Sequence, residues 1–422
     1  MSSDRDRDLP CIVSAPPGPR SRALSARLTV VESPAFEARR EHRAEVSGQD
    51  QGPIVYASGS GSTVDDVDGN RYVDLTAGFG ALLLGYGPNE ATVAAASEMT
   101  LALGDVYASE TKVRACEALA SVFPEAGARV MLGLSGADAV TCALKSAALA
   151  TKKPAVVAFE GSYHGLSHGP LAACGLAPSF REPFIDQLGL QVSFAPYPAQ
   201  ASELDASLLA VRAALKEGNV SAILVEPILG RGGCVVPPAS FLPALRSMCD
   251  DAGALHVVDE VWTGLRSGSL LACDDAGVIP DLLCLAKGLG GGIPISACIG
   301  RAHVMAAWGA HGGSTIHTGT HFGSPPACAA LLATLAKARE LSPRATELGA
   351  AFREKLGPRA RGRGLMIGVA VPDALAVARR LLGLGFIVLT GGNKNDTLTL
   401  SPALTISPAQ LDAFVTAFDS IS

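Results

Sequence analysis

The chain has 422 residues and a formal net charge of −6, with 48% hydrophobic and 18% charged residues. These values allow a large buried core in two or three domains and exclude a disordered chain. The negative charge gives no basic field for nucleic acid, and no apolar run reaches the roughly 18 residues of a membrane span.

The N-terminal residues and the cysteines point to a cytoplasmic protein. The start, MSSDRDRDLP, alternates charges and lacks the apolar segment of a signal peptide. Ten cysteines are spread along the chain without CxxC pairs or zinc-like spacing. We therefore expect reduced cysteines in the core, with no bound metal, no membrane and no nucleic-acid partner.

Residues 1–75 are predicted to form an N-terminal arm and a segment of a small domain. The arm is mostly irregular, with a helical stretch near PAFEARREHRAEV. A hairpin-like segment follows, IVYASGSGSTVDDVDGNRYVDL, in which DGN supplies the turn between two short strand-like runs.

Residues 76–325 are predicted to form a large α/β domain. Five apolar runs have the length and the boundaries of buried strands: RVMLGL, AVVAFE, AILVEP, LHVVDE and DLLCLAK. Helix-period stretches such as ADAVTCALKSAALA and FLPALRSMCDDAG lie between them. This alternation indicates a parallel sheet covered by helices on both faces.

Residues 326–422 change character and are predicted to form a smaller C-terminal α+β domain. The helical stretch PPACAALLATLAKARELS leads away from the sheet. Short strand-like and helix-like segments follow it: GLMIGVAV, PDALAVARRLLGLG, FIVLTG and TLTLSPALTI.

Reactive or polar side chains follow each of the five strand-like runs. In chain order they are Ser135, Tyr163, Glu226, Asp259 and Lys287. Ligands of open α/β sheets bind at the carboxyl ends of the strands, so these side chains are expected to converge on one site.

Lys287 is the most informative of these side chains. A lysine desolvated by an apolar strand has a lowered pKa and can form a Schiff base with an aldehyde. The glycines after it would let the backbone pass close to a bulky cofactor. Asp259, at the end of a buried strand, needs a positive partner such as a protonated pyridine nitrogen. Ser135 begins a helix whose backbone amides would bind an anion, or it caps an ordinary helix without a ligand.

These motifs together resemble one enzyme family. VVDEVWTGLRSG followed by LAKGLGGGIPISACIG is similar to the signature of class III (ω-type) aminotransferases, which are pyridoxal 5′-phosphate (PLP) enzymes of fold type I. LSGADAV, GSYHG, VEPILGRGG, THFGSPPACAA and LTLSPALTIS occur in the family's order. The resemblance implies a large domain with a mostly parallel seven-stranded sheet between helices, plus a smaller α+β domain from the C-terminus and the N-terminal arm.

The resemblance also implies roles for the residues around the cofactor ring. Lys287 would hold PLP as a Schiff base, and Asp259 would pair with the pyridine nitrogen. Val261 and Tyr163 would pack on the two ring faces, and Glu226 would lie near the ring.

The resemblance assigns the cofactor phosphate to the helix start and to a neighbouring subunit. Ser135, Gly136 and Ala137 would form the phosphate turn, with backbone N–H groups from the last two. Thr320 would reach the phosphate of the other subunit, which implies a homodimer with shared sites, or a higher oligomer built from it.

Three positions depart from the family pattern. Trp262 stands where the family often has glutamine, Arg231 where many members have the glutamate of GEGG, and Thr399 where many have a carboxylate-binding arginine. Arg231 would then bind a substrate carboxylate from a new direction, or it would pair with a surface acid. Trp262 would alter the pocket wall. Phe79 falls where family members place substrate-entry residues, although a core role fits it equally.

The resemblance implies a PLP-dependent aminotransferase. It would move an amino group between an amine or amino acid, including ω- or β-amino acids, and a keto acid or aldehyde. A racemase, epimerase or aminomutase of the same fold would use the same residues, and a catalytically lapsed PLP-fold binding protein is the alternative of another class.

Overall fold

The computed structural model describes residues 8–99, 107–310 and 313–421. The helices in these ranges are α1 (Pro19–Thr29), α2 (Pro34–Ser47), α3 (Ala77–Gly80), α4 (Glu90–Ser97), α5 (Glu110–Val122), α6 (Gly136–Thr151), α7 (His168–Ala172), α8 (Leu204–Leu215), α9 (Phe241–Ala252), α10 (Ala302–Met305), α11 (Pro325–Leu356), α12 (Ala374–Gly383) and α13 (Pro408–Asp419).

The strands are shorter than the helices and form three sheets. They are β1 (Tyr56–Ser60), β2 (Thr63–Asp66), β3 (Arg71–Asp74), β4 (Arg129–Gly133), β5 (Ala155–Phe159), β6 (Gln191–Ala195), β7 (Val220–Val225), β8 (Leu255–Asp259), β9 (Leu282–Leu285), β10 (Ser296–Gly300), β11 (Ala360–Arg363), β12 (Met366–Ala370), β13 (Phe386–Ile387), β14 (Leu389–Gly391) and β15 (Thr397–Leu400).

The largest sheet has seven strands in the order β4-β10-β9-β8-β7-β5-β6. Strand β10 is antiparallel to both of its neighbours, and the pairs from β9 to β6 are parallel. The mostly parallel seven-stranded sheet expected from the sequence is therefore confirmed. Its parallel strands place their carboxyl ends at one edge, which is where the candidate site lies.

Both faces of this sheet are buried, as the apolar runs predict. Along β5, Val156 and Ala158 pack in one cluster with Val140 of α6, whereas Val157 and Phe159 face a second cluster. Helix α6 covers the first face and contacts β4, β9 and β10. The alternation follows from the two-residue period of a strand, so a continuous apolar run indicates cover on both sides.

The five strand-like runs of the sequence all form strands of the seven-stranded sheet. No apolar run in the sequence predicted the positions of its other two strands, β6 and β10. Strand β6 is an edge strand, and its residues alternate between partly and fully exposed up to the buried Ala195. Strand β10 is fully buried but consists mainly of the small residues of SACIG. Neither has the run of large or β-branched residues that marks a strand in the sequence.

Two smaller sheets bring together distant parts of the chain. One has the order β1-β2-β3-β13, so a C-terminal strand pairs in parallel with the N-terminal hairpin. The DGN turn between β2 and β3 is held by Asp66, whose Oδ1 accepts from the backbone N–H groups of Asp68 and Asn70, each at 2.9 Å. The other sheet, β11-β12-β15-β14, is antiparallel. The division at residues 75 and 325 stays a prediction.

The structure corrects two expectations about helices. The N-terminal arm contains α1 as well as α2, so it is more helical than the sequence suggested. Helix α11 continues through Pro343 to Leu356, although a proline favours a helix end. Ala338, Ser342, Ala345 and Phe352 are buried along it, so tertiary packing outweighs the lost hydrogen bond.

Three further features of the structure concern the cysteines, membrane-spanning helices and groups of metal-ligating side chains. All ten cysteines are free; eight are buried, Cys116 is half-buried, and Cys11 is exposed. Within the described residues, no helix is long and apolar enough to cross a membrane. Likewise, in that part of the chain no group of three or more metal-ligating side chains could hold an ion.

Candidate active site

A cavity of about 310 Å³ opens at the carboxyl edge of the seven-stranded sheet. Four predicted site residues and Lys287 line it together, although they lie far apart in the sequence. The lining residues are Arg39, Arg43, Phe79, Tyr163, Arg231, Trp262, Lys287, Val388, Leu389, Thr390 and Thr399.

Lys287 is held next to the indole ring of Trp262. It follows β9 and begins a 3-10 turn with a φ of +39°, a conformation that L-residues rarely adopt. Its Nζ lies 4.7 Å from the Trp262 ring centroid. Burial lowers the pKa of Lys287 to about 8, against the opposing effects of the carboxylates of Asp259 and Glu226. The amine is therefore partly neutral near physiological pH.

Two of the glycines after Lys287 are required by the packing of the protein itself, and the idea that the glycines make room for a cofactor stays a prediction. A Cβ on Gly291 would lie 2.6 Å from the Cβ of Ala91, and one on Gly292 would lie 2.7 Å from Leu82. Both glycines have positive φ angles. These positions require glycine because protein atoms approach closely in a left-handed turn.

Asp259 is buried at the end of β8 with both carboxylate oxygens in fixed contacts. Its Oδ2 lies 2.7 Å from Nδ1 of His164, and its Oδ1 accepts from the backbone N–H of Val261 at 2.9 Å. His164 is also buried, and its Nε2 has no hydrogen-bond partner among the described residues. The sequence reasoning missed His164, although it belongs to the GSYHG motif.

Glu226 holds two loops together beside the cavity. Its Oε1 accepts from the backbone N–H of Tyr163 at 2.8 Å, and its Oε2 accepts from that of Gly230 at 3.0 Å. Burial raises the pKa of this carboxyl group. Glu226 therefore positions the loop that carries Tyr163 and the loop that carries Arg231.

The start of α6 has the geometry of an anion site. Ser135 Oγ accepts from the N–H of Asp138 at 3.2 Å, and Asp138 Oδ2 accepts from the N–H of Ser135 at 2.9 Å. This capping box leaves the N–H groups of Gly136 and Ala137 without a partner in the described part of the chain.

Val261 packs directly against this helix start. A Cβ on Gly136 would lie 2.7 Å from Cγ1 of Val261, so only glycine fits without displacement. The loop after β8 is thereby fixed against α6. Val261 therefore lies next to the two unpartnered amides of Gly136 and Ala137, as expected if all three contact one cofactor.

Trp262 is clamped between two glycines and is 5% exposed. A Cβ on Gly230 would lie 2.5 Å from its Cε3, and one on Gly80 would lie 2.8 Å from its Nε1. Its indole N–H has no partner within the described residues. The fully buried Arg266, which the sequence reasoning missed, donates to the carbonyl of Gly80 and so supports this wall.

Three further predicted residues, Arg231, Phe79 and Thr320, differ in their position relative to the cavity. Arg231 stacks on Tyr163, with its guanidinium carbon 5.0 Å from the ring centroid. Phe79 is 61% exposed and lines the cavity, so it is not a core residue. Thr320 is exposed in a loop and does not line the cavity of its own chain.

The residues present fit PLP. The unpartnered amides of Gly136 and Ala137 suit its phosphate, the buried Asp259 suits its ring nitrogen, and the Lys287 amine suits its aldehyde. Val261 and Tyr163 offer apolar faces for its ring.

The comparisons with known proteins agree with this geometry. The chain matches the family described as Aminotransferase class-III over residues 46–421. It is 37% identical over 393 residues to an acetylornithine aminotransferase from Mycobacterium bovis, covering 87% of this chain and 92% of that protein.

Solved structures of transaminases share the fold. A PLP-bound amine transaminase from an uncultivated Pseudomonas species has a TM-score of 0.78 and 28% identity, covering 87% of this chain and 94% of that chain. An (S)-enantioselective ω-transaminase from Thermomicrobium roseum has a TM-score of 0.83 and 25% identity, covering 94% and 97% of the two chains.

Proposed function

The chain belongs to the class III aminotransferase family, and we propose that Lys287 and Asp259 carry out its PLP-dependent transamination in the cavity described above. The main support is the convergence of Lys287, Trp262, Tyr163 and Arg231 on one cavity, next to the buried Asp259. Bound PLP supplies the aldehyde that takes up the amino group and the ring that accepts electron density.

Lys287 is the attachment point and the proton carrier in this proposal. Its lowered pKa leaves part of the amine neutral, so its Nζ can attack an aldehyde near neutral pH. With a substrate in the cavity, Nζ would accept the proton of the substrate carbon that bears the nitrogen. The Trp262 ring beside Nζ keeps water away from that amine.

Asp259 holds the cofactor ring in its protonated form. Its two oxygens are fixed by His164 and by the N–H of Val261, so the carboxylate is oriented before the ring arrives. Val261 and Tyr163 would pack on the ring faces, and Ser135, Gly136 and Ala137 would hold the phosphate at the start of α6. Glu226 keeps the Tyr163 loop in place.

We also propose a homodimer with shared sites. Thr320 is exposed and lies outside the cavity of its own chain, as expected for a residue that serves the other subunit. Large apolar side chains are exposed on the same molecule, among them Leu134 next to the phosphate turn and Ile316 close to Thr320 in the chain. Such surface is buried at a low cost in an interface between copies.

The decisive experiment removes the attachment lysine. The purified wild type, supplied with PLP, should show visible absorbance of the bound cofactor, and borohydride reduction should add the cofactor mass to the peptide that contains Lys287. Lys287→Ala should lose both signals, whereas Lys394→Ala, which changes an exposed lysine, should keep them. A wild type that takes up no PLP would falsify the proposal.

The same preparation separates transamination from the alternatives. Acetylornithine, which the name of the Mycobacterium bovis relative suggests, is the first donor to test. A transaminase should convert its bound cofactor to the amine form when a donor is given alone, and should need a keto acid to return. A racemase or aminomutase would turn over without an acceptor, and a lapsed protein would give no change with any donor.

A further inference from the structure

Among the described residues, the cavity around Lys287 is lined by cationic side chains and by no acidic ones. Arg39 and Arg43 come from α2, and Arg231 comes from the loop after β7. The remaining lining residues are apolar, aromatic or hydroxyl-bearing. Three guanidinium groups therefore face the space next to the reactive amine.

No described residue forms an ion pair with these three arginines. In the described part of the chain, Arg39, Arg43 and Arg231 form no ion pair, whereas Arg40 on the same helix lies 2.5 Å from Glu32 and 2.7 Å from Glu37. Arg39 and Arg43 are four residues apart on α2 and so share one face, an arrangement that destabilises a helix when the charges are alike.

The electrostatics of Arg43 agree with this excess of positive charge. Burial lowers its pKa, and Arg39, Arg231 and Arg379 lower it further. Its Nη2 donates to Oγ1 of Thr390, 3.2 Å away, which fixes the guanidinium at the cavity wall. An uncompensated charge held in this way is stabilised when an anion enters.

Two buried polar atoms in the same wall have no partner. Thr399 is 1% exposed and Trp262 is 5% exposed, and neither Oγ1 of the threonine nor Nε1 of the indole has a hydrogen-bond partner within the described residues. Both residues line the cavity. Buried polar atoms are normally paired, so these two leave hydrogen-bonding capacity unused in residues that line the cavity.

We propose that Arg39, Arg43 and Arg231 form an anion site for the remote acidic end of a substrate that carries at least two negative charges. The shared chemistry is a carboxylate or phosphate group, to which the planar guanidinium fork binds with paired hydrogen bonds. This inference rests on the proposed function, because the other end of the substrate must reach Lys287.

The arrangement gives the substrate a direction. Its nitrogen-bearing carbon lies at Lys287, and its acidic end lies at the arginines. Arg231 is itself held over the ring of Tyr163. Thr399 on β15 carries no charge, so the cationic groups of the cavity lie on α2 and on the loop after β7.

Binding to the holoenzyme tests the anion site without turnover. Glutarate, pentanoate and propyl phosphate are titrated by calorimetry; the first two have the same length and differ by one carboxylate. Glutarate or propyl phosphate should bind at least about tenfold more tightly than pentanoate, because each charged hydrogen bond adds substantially to affinity. Whichever of the two binds more tightly identifies the acidic group. If neither compound binds more tightly than pentanoate, the inference is wrong.

Variants then assign the site to the arginines. Arg43→Ala and Arg231→Ala should each weaken the preferred anion by about 10- to 100-fold and weaken the singly charged pentanoate by less. Arg40→Ala is the matched control on the same helix and should retain the affinity. Equal losses for glutarate and pentanoate, or an equal loss in Arg40→Ala, would overturn the assignment.

Half-reaction kinetics separate this inference from the proposed function. With matched mono- and diacid amino donors, Arg43→Ala should raise KM for the diacid only, with kcat nearly unchanged. An enzyme that holds PLP on Lys287 but shows no preference for diacids refutes the anion site alone. An enzyme that holds no PLP refutes the proposed function.

Discussion

At the scale of single residues, the environment of Lys287 decides its reactivity. The amine is buried behind an apolar strand, and this loss of solvent disfavours its charged form. The carboxylates of Asp259 and Glu226 act in the other direction and favour the charged form. The desolvation effect is the larger one, so the pKa of Lys287 is lowered to about 8.

We therefore expect the apoprotein to acylate at Lys287 with a midpoint near pH 8. The neutral amine is the reactive form, so the labelling rate should rise with pH and level off above that value. Pulse labelling with acetic anhydride, read by mass spectrometry, gives the profile, with the exposed Lys394 as reference in the same sample. Asp259→Asn should move the midpoint to lower pH. A rate that still climbs steeply well above pH 8 would contradict the expectation.

At the scale of elements, the site depends on how α6 meets the loop after β8. Gly136 begins the helix, and Val261 occupies the space that a side chain there would need. The capping box of Ser135 and Asp138 sets the direction of the first turn. The two elements thus place the free amides and the apolar Val261 side chain at a fixed separation.

Gly136→Ala should weaken PLP binding by about tenfold or more, because overpacking at a close contact costs roughly 1–3 kcal/mol. Adding Val261→Ala should recover part of the affinity, because it removes the two methyl groups that the new Cβ would meet. Spectrophotometric titration of PLP into each apoprotein measures the change.

Two variants complete that comparison. Val261→Ala alone shows the effect of losing the Val261 side chain, and Gly189→Ala, at a position with no atom within 4 Å, shows the effect of an alanine without a contact. The interlocking of α6 and the β8 loop is refuted if the double variant binds PLP no better than Gly136→Ala.

At the scale of the whole molecule, the cavity collects residues from three separate regions of the chain. Arg39 and Arg43 come from α2, and Tyr163, Arg231 and Lys287 come from segments that follow strands of the seven-stranded sheet. Val388, Leu389, Thr390 and Thr399 come from β14, β15 and the residue before β14. The parallel pairing of β13 with β3 ties the C-terminal region to the N-terminal hairpin. The substrate side of the site therefore depends on both ends of the chain.

Subunit mixing tests the proposed sharing of sites. Lys287→Ala homodimers should be inactive, and Thr320→Ala homodimers should bind PLP weakly. A heterodimer of the two should contain one intact site, made from Lys287 of one chain and Thr320 of the other. Activity should therefore appear after the two variants are unfolded together and refolded.

The comparison needs two references. Each variant is refolded separately as a control, and light scattering gives the mass of the assembly. If Thr320 acts within its own chain, the mixture should show no more activity than the two separate samples, and a monomeric mass would exclude the shared site.

The sequence by itself determined most strands of the large sheet. Continuous apolar runs predicted five strands of the parallel sheet, and the residues directly after them predicted Tyr163, Asp259 and Lys287 at one edge. The strand predictions succeed because strand burial is encoded locally, in neighbouring residues. The common site of the three residues stays a prediction, based on the carboxyl ends of the strands. The edge strand β6 and the small-residue strand β10 carry no such local signal, and α11 passes Pro343 because its buried face is set by other elements.

Only the tertiary structure decided the contacts between distant residues. It pairs His164 with Asp259, clamps Trp262 between Gly80 and Gly230, and assigns two of the glycines after Lys287 to close packing of the chain. It also brings Arg39 and Arg43 beside Arg231. Such contacts depend on which elements pack together over long separations in the chain, and the periodicity of a single segment contains no information about its partner.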